Sequence, residues 1–152
     1  MKIYIAADHA GFELKEKIKN FLSDNNFKVE DCGAYAYNPD DDYPDFIFKA
    51  AKSVSENKKS FGIVIGGSGQ GEAIAANKIK GIRAAVYNNE NLELIKLSRE
   101  HNNSNVLSIG ARFVSEKNAI NAVKIFLETK FPNEPRHKRR INKIKGIENE
   151  LL

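Results

Sequence analysis

The chain has 152 residues, 41% of them apolar and 29% charged, with a net charge of +4. That length carries one domain with a core of its own, and that balance excludes a disordered or fibrous chain. No apolar run reaches the length of a membrane span, and Asp8 and His9 interrupt the N-terminus too early for a signal peptide, so a cytoplasmic protein with no membrane partner is predicted.

Short β-branched runs alternate with longer stretches of helical period, without repeats or low-complexity linkers. Lys2 to Ala7 reads as a strand, and Gly11 to Asn25 as a helix with Leu14, Ile18, Phe21 and Leu22 on one face. Phe27 to Cys32 reads as a second strand. Its Cys32 is the single cysteine, which excludes an internal disulfide and a cysteine-based zinc cluster and suits a small buried thiol. Gly33 to Pro44 is a loop rich in Asn, Asp, Tyr and Pro, followed by a predicted helix over Asp45 to Asn57. Phe61 to Ile65 is strand three, and the glycine loop Gly66-Gly67-Ser68-Gly69-Gln70-Gly71 opens a helix over Glu72 to Lys78. Arg83 to Tyr87 is strand four, Glu90 to His101 a helix, Val106 to Ile109 strand five, and Ser115 to Lys130 a helix. After Phe131-Pro132-Asn133-Glu134-Pro135 a basic helix is predicted to about Glu148, carrying Arg136-His137-Lys138-Arg139-Arg140.

This alternation predicts an α/β chain with a five-stranded parallel sheet covered by helices on both faces. Strand three, apolar throughout, suits a central position. Ligands of such sheets bind outside the carboxyl ends of the strands. Those ends bring together Asp8 and His9, the Tyr43 region, the loop from Gly66 to Glu72, and Gly110-Ala111-Arg112.

The glycine loop has the glycine spacing of a P-loop, but Glu72 and Ala73 stand where the lysine and the hydroxyl belong. It follows the third strand, where a dinucleotide fingerprint follows the first, and Gln70 takes the second glycine of a nucleophile elbow centred on Ser68. Two readings are left. Successive glycines permit positive φ, so their N–H groups can converge on a negative oxygen, reinforced by the helix N-terminus. Alternatively the glycines only make a tight turn, and Glu72 only complements the helix dipole. Oxyanion donors beside a carboxylate suit removal of a proton from carbon next to a carbonyl. The helix terminus lowers the carboxylate's pKa whereas a base needs it raised, so burial against Ile74 or a substrate is expected to offset the dipole.

His101, at a helix end among Asn and Ser residues, is a candidate acid or base or a C-capping cation. Asp8 and His9 are a candidate site pair or a plain capping pair. Arg112, Arg136 and Arg140 suit a phosphate, and the last two, four apart, share a helix face. The basic cluster is otherwise a solvated surface; it is short and lacks interleaved aromatics, so no nucleic-acid partner is expected.

Taken in order, Asp8-His9-Ala10-Gly11-Phe12, Asp42-Tyr43-Pro44-Asp45, Gly66 to Glu72 with Ile74-Ala75-Ala76-Asn77-Lys78, Gly81-Ile82-Arg83-Ala84, His101-Asn102-Asn103 and Arg136-His137-Lys138-Arg139-Arg140 closely resemble ribose-5-phosphate isomerase type B, from Lys2 to about Ile144. The resemblance implies a Rossmann-like three-layer sandwich that interconverts ribose 5-phosphate and ribulose 5-phosphate without metal or cofactor. It also implies a homodimer whose sites are completed by the partner chain, and the C-terminal helix (about 136–149) packs on that partner. Dimers pairing into tetramers stay an open possibility. Some members of the family carry a cysteine base at the position of Gly66; another branch uses a glutamate after the glycine loop, which Glu72 matches. By the same resemblance His101 is the acid for ring opening, with Asp8 as competitor. Asp8, His9, Gly67, Ser68, Gly69, Gln70, Gly71 and Asn102 would hold the sugar and its developing oxyanion. Arg112, Arg136 and Arg140 would hold the phosphate, assisted by His9 or His137, and Tyr43 would line the site. The alternatives are a galactose 6-phosphate or allose 6-phosphate isomerase and, in another class, a phosphate or nucleotide sensor on the same fold.

Overall fold

The computed structural model describes residues 1–151. In chain order it contains β1 (Lys2–Ala7), α1 (Phe12–Asp24), β2 (Lys28–Asp31), α2 (Pro44–Glu56), β3 (Ser60–Gly66), α3 (Gln70–Ala76), β4 (Ala84–Tyr87), α4 (Leu92–Asn102), β5 (Val106–Gly110), α5 (Glu116–Glu128) and α6 (Pro135–Leu151). The five strands form one parallel sheet in the order β2-β1-β3-β5-β4. From β1 the chain steps outward to β2 and then crosses back over β1 to β3. The winding thus reverses between β1 and β3, the place where such sheets form a ligand crevice beyond the strand ends.

Side chains alternate across each strand and divide the core into two layers. Ile3, Ile5, Ile63, Ile65, Leu107 and Ile109 pack against α1, α4 and α5 on one face. Tyr4, Ala6, Val64 and Val106 pack against α2 and α3 on the other. Each face is dry, as a parallel sheet requires. Cys32 is buried in the second layer, and burial pushes its thiol up to about 11, so it is a packing residue rather than a nucleophile. Among the described residues no helix is long and apolar enough to cross a membrane.

The apolar face of α1 expected from periodicity packs on a single core cluster, to different depths, and a charged residue is buried with it. Ile18 and Leu22 are fully buried, but Leu14 and Phe21 only flank the core, and Lys15 is completely buried. The Lys15 ammonium donates to both oxygens of Asp31 at 2.8 and 2.9 Å and to the Ala34 carbonyl at 2.5 Å. A paired, hydrogen-bonded lysine can be buried where a lone one cannot. Its three bonds pin the end of β2 to the start of the 33–43 loop, which returns over the carboxyl ends of the strands.

The last helix begins at Pro135, a residue suited to a first turn because its missing N–H would be unpaired there anyway. It lies along the amino end of the sheet: His137 and Ile141 are buried, and the Glu148 carboxylate accepts from the Gly81 N–H at 3.2 Å.

Candidate active site

At the carboxyl end of β1, Asp8 is buried and its Oδ1 accepts from the N–H groups of Ala10 at 3.0 Å and Gly11 at 3.3 Å. This caps the turn into α1 and fixes His9 at the rim. Asp41, brought over by the 33–43 loop, accepts from the His9 N–H at 3.0 Å and lies 2.7 Å from Nδ1 of its ring. Asp8, His9 and Asp41 each place one potential ligand atom within 4.8 Å of the others. A 2.7 Å contact is that of a charge-assisted hydrogen bond, however, and is tighter than two ligand atoms stand around a shared ion with bonds of about 2.1 Å. The hydrogen bond to Asp41 leads the causes that raise the His9 pKa above its ordinary value.

The glycine loop adopts its path for a reason different from the one periodicity suggests. Of its glycines only Gly69 has a positive φ, +78°, at the N-cap of α3. Gly66 is needed for space: a Cβ there would overlap the Glu72 carboxylate. The carbonyls of Gly66, Gly67, Ser68 and Gly69 accept from Ala111 N (2.8 Å), Arg112 N (3.1 Å), Asn88 Nδ2 (3.0 Å) and Ser108 Oγ (2.6 Å). In a trans peptide each following N–H points the opposite way. The N–H groups of Gly67 and Ser68 are thus turned away from β5 and have no acceptor among the described residues.

Glu72 is 4% exposed, and burial raises its pKa above the usual carboxylate range. The amides of Glu72 and Gly69 pull the other way, while nearby Asp8 adds to the rise. Burial therefore outweighs the helix terminus. Ile74 does not supply that burial, since it is 62% exposed. Two residues on, it has turned roughly 200° about the helix and faces solvent. Around this carboxylate, a Cβ at Gly67 would stand 3.1 Å from the Arg112 guanidinium and one at Gly71 would meet the Tyr43 ring at 2.7 Å, so both side chains border the loop. Gln70 is exposed at the loop's outer edge.

A second polar cluster lies at the opposite end. Helices that follow parallel strands run back, so the C-terminus of α4 reaches the amino edge of the sheet. His101 stacks there on His137 of α6, ring centroids 4.4 Å apart and planes 16° from parallel. Arg99 holds this corner, donating to Asn103 Oδ1, the Ser104 carbonyl and the Thr129 carbonyl while lying over the Phe61 ring. Its burial pushes the guanidinium down to about 10. Asn102, Arg136 and Arg140 are exposed beside the two imidazoles. Burial, then the neighbouring His101, lowers the His137 pKa.

A family model described as Ribose/Galactose Isomerase matches residues 3–144. The chain belongs to that family. Ribose-5-phosphate isomerase B of Mycolicibacterium paratuberculosis is 44% identical over 142 residues, 93% of this chain and 88% of that protein. The crystal structure of ribose-5-phosphate isomerase B from Mycoplasma genitalium with bound ribulose 5-phosphate superposes with a TM-score of 0.93 at 42% identity, covering 98% of this chain and 97% of that one. The Clostridium thermocellum ribose-5-phosphate isomerase B gives the same TM-score and identity with full coverage of both chains.

Within this isomerase fold, the expected site residues divide between the two ends. Asp8, His9, Tyr43, Gly67 to Gly71, Glu72 and Arg112 surround the crevice at the carboxyl edge. His101, Asn102, Arg136, His137 and Arg140 gather at the amino edge. His101 precedes β5 and Arg112 follows it; the strand's five residues span about 16 Å, so one chain does not bring His101 to Glu72. Sequence reading passed over Asp41, Asn88 and Ser108. Ser108 had a signal, a hydroxyl inside an otherwise apolar strand; Asp41 had none that set it apart from Asp40 and Asp42.

Proposed function

We propose that this chain is a ribose-5-phosphate isomerase, interconverting ribose 5-phosphate and ribulose 5-phosphate. The observation that carries the reading is the buried Glu72 carboxylate, its pKa raised, beside two loop N–H groups without acceptors. In the open-chain aldose, Glu72 takes the proton from C2; the electron pair forms the C1–C2 double bond, and negative charge moves to the carbonyl oxygen. The amides of Gly67 and Ser68 face that oxyanion, a stabilisation of about 3 kcal/mol for each well-aimed donor. Glu72 returns its proton to C1 as C2=O forms, and the proton of the O2 hydroxyl passes to the O1 oxyanion, which completes the ketose. Asp8 and His9 hold sugar or phosphate oxygens, Tyr43 closes the side of the crevice, and Arg112 meets the phosphate. No metal or organic cofactor enters these steps.

We further propose that the functional unit is at least a homodimer. His101 as the ring-opening acid, with Asn102, Arg136, Arg140 and His137 at the phosphate, serves the site of a second copy. The separation across the sheet supports this, because within one chain His101 cannot reach the crevice that holds Glu72. The single domain, its α6 against the partner and a cytoplasmic location complete the proposal. Similarity to proteins named for the pentose reaction favours the pentose over hexose 6-phosphates and over a non-catalytic sensor. Assays on ribose 5-phosphate, galactose 6-phosphate and allose 6-phosphate test this directly: the largest kcat/KM is expected for the pentose, and a hexose preference overturns it.

A further inference from the structure

Asp41 has no part in the chemistry above, yet its side chain is only 7% exposed and its geometry is unusual for a loop aspartate. One oxygen, Oδ1, engages both the backbone N–H and the ring Nδ1 of His9. The other, Oδ2, is buried without a hydrogen-bond partner among the described residues. A buried carboxylate with a bare oxygen needs a cation close by, because its charge is otherwise uncompensated in a medium of low polarity. The nearest group able to supply one is the His9 imidazole.

The other charged groups around that ring are Asp8 at the end of β1, 4.0 Å from Nδ1, and Arg112 beyond β5, which opposes protonation. Tyr37 of the 33–43 loop presents its ring edge-on at 6.4 Å between centroids. Two carboxylates against one guanidinium favour the charged ring. With Nδ1 tied to Asp41, Nε2 is the ring nitrogen left for a ligand, and the side chain remains 26% exposed.

We propose that Asp41 is a positioning residue that holds His9 as an imidazolium with its Nε2–H presented to the anionic end of the substrate. The proposal rests on the reading of His9 as a substrate-binding group. His9 then offers a charge-assisted hydrogen bond at pH values where an ordinary histidine is neutral, and a second cation adjoins the crevice beside Arg112. Asp41 does this through His9 and touches no reacting atom.

The chain has three histidines, so imidazole nitrogen NMR of the full-length protein, assigned with Asn replacements, reads each one separately. Wild-type His9 is expected to carry protons on both nitrogens at pH 7, and in Asp41→Asn its titration midpoint moves down. The KM ratio of D41N to wild type should stay near one in mild acid and rise to about fivefold at pH 8, with kcat little changed. Taking the ratio cancels the substrate's own phosphate ionisation. A neutral His9 at pH 7 in the wild type, or the same His9 midpoint in folded D41N, overturns the proposal; the first needs no variant. His9→Asn separates it from its premise: an unchanged KM there removes His9 from the site and overturns the reading beneath, whatever D41N does.

Discussion

At the carboxyl edge, Glu72 is 4% exposed and the loop carbonyls from Gly66 to Gly69 are all engaged, whereas at the amino edge Arg136 and Arg140 project into solvent. Both ends hold titratable side chains, but their surroundings differ. The first end holds buried acids beside amides lacking acceptors, the combination that the proposed proton abstraction needs. The second presents exposed cations, Arg136 and Arg140, beside imidazoles braced from beneath by Arg99. A base is tuned by desolvation, and a phosphate group must be reached while still hydrated. The two demands are met by burying one set of residues and exposing the other.

The strongest way to break this comparison is Glu72→Gln, which keeps the shape and removes the base. Isomerisation and exchange of the C2 proton with solvent should both fall by about a thousandfold. Retention of either at near wild-type rates would show that the buried carboxylate is not the base. Next comes a mixing experiment with E72Q and His101→Asn, each nearly inactive alone. If the two ends work across a dimer, re-associated mixtures contain sites with both groups intact and recover about a quarter of wild-type activity, the share for random pairing. No recovery would place both groups in one chain's site and reject the shared arrangement.

A smaller effect separates the roles of the ends. Arg136→Gln or Arg140→Gln should raise KM by about tenfold with kcat nearly constant, as loss of a charge-assisted phosphate contact requires. Equal loss in kcat would move those arginines toward the chemistry. The smallest expected change concerns stability. The folded-state pKa of Glu72 is raised above its unfolded value, so the folded protein binds that proton more tightly. The group's contribution to stability is therefore most favourable below the ordinary carboxylate value and is lost as pH rises through the folded pKa. In urea unfolding, E72Q should thus be more stable than wild type near pH 8, with the difference closing toward pH 4. A less stable E72Q at pH 8 would mean that the carboxylate is better solvated than its burial indicates.

Much of this architecture was legible in the residues. Alternating strand and helix patterns, with FGIVI apolar throughout, are enough to require a parallel sheet covered on both faces, and that sheet alone gathers Asp8, Tyr43, Glu72 and Arg112 at one edge. The glycine loop with Glu72 was legible as a loop unlike a P-loop, a dinucleotide fingerprint or a nucleophile elbow, by residue type or by place in the chain. That left oxyanion donors beside a base or a plain tight turn. Lys15 was not legible, since a lysine on an apolar face looks solvent-bound until Asp31 and the Ala34 carbonyl close around it. The reason for Gly66 was equally hidden: local sequence suggests a freedom of φ, and only the packed carboxylate of Glu72 reveals a need for space.

By itself, the sequence determined which elements form and which chemical groups are present, because periodicity, turn residues and motif spacing are properties of neighbours along the chain. Tertiary structure alone decided which of those groups meet. Burial lifted Glu72 against its own helix terminus, the 33–43 loop delivered Asp41 to His9, and the return direction of α4 carried His101 to the far end of the sheet. Desolvation and through-space charge depend on what the fold brings within a few ångströms, and positions along the chain do not encode that distance.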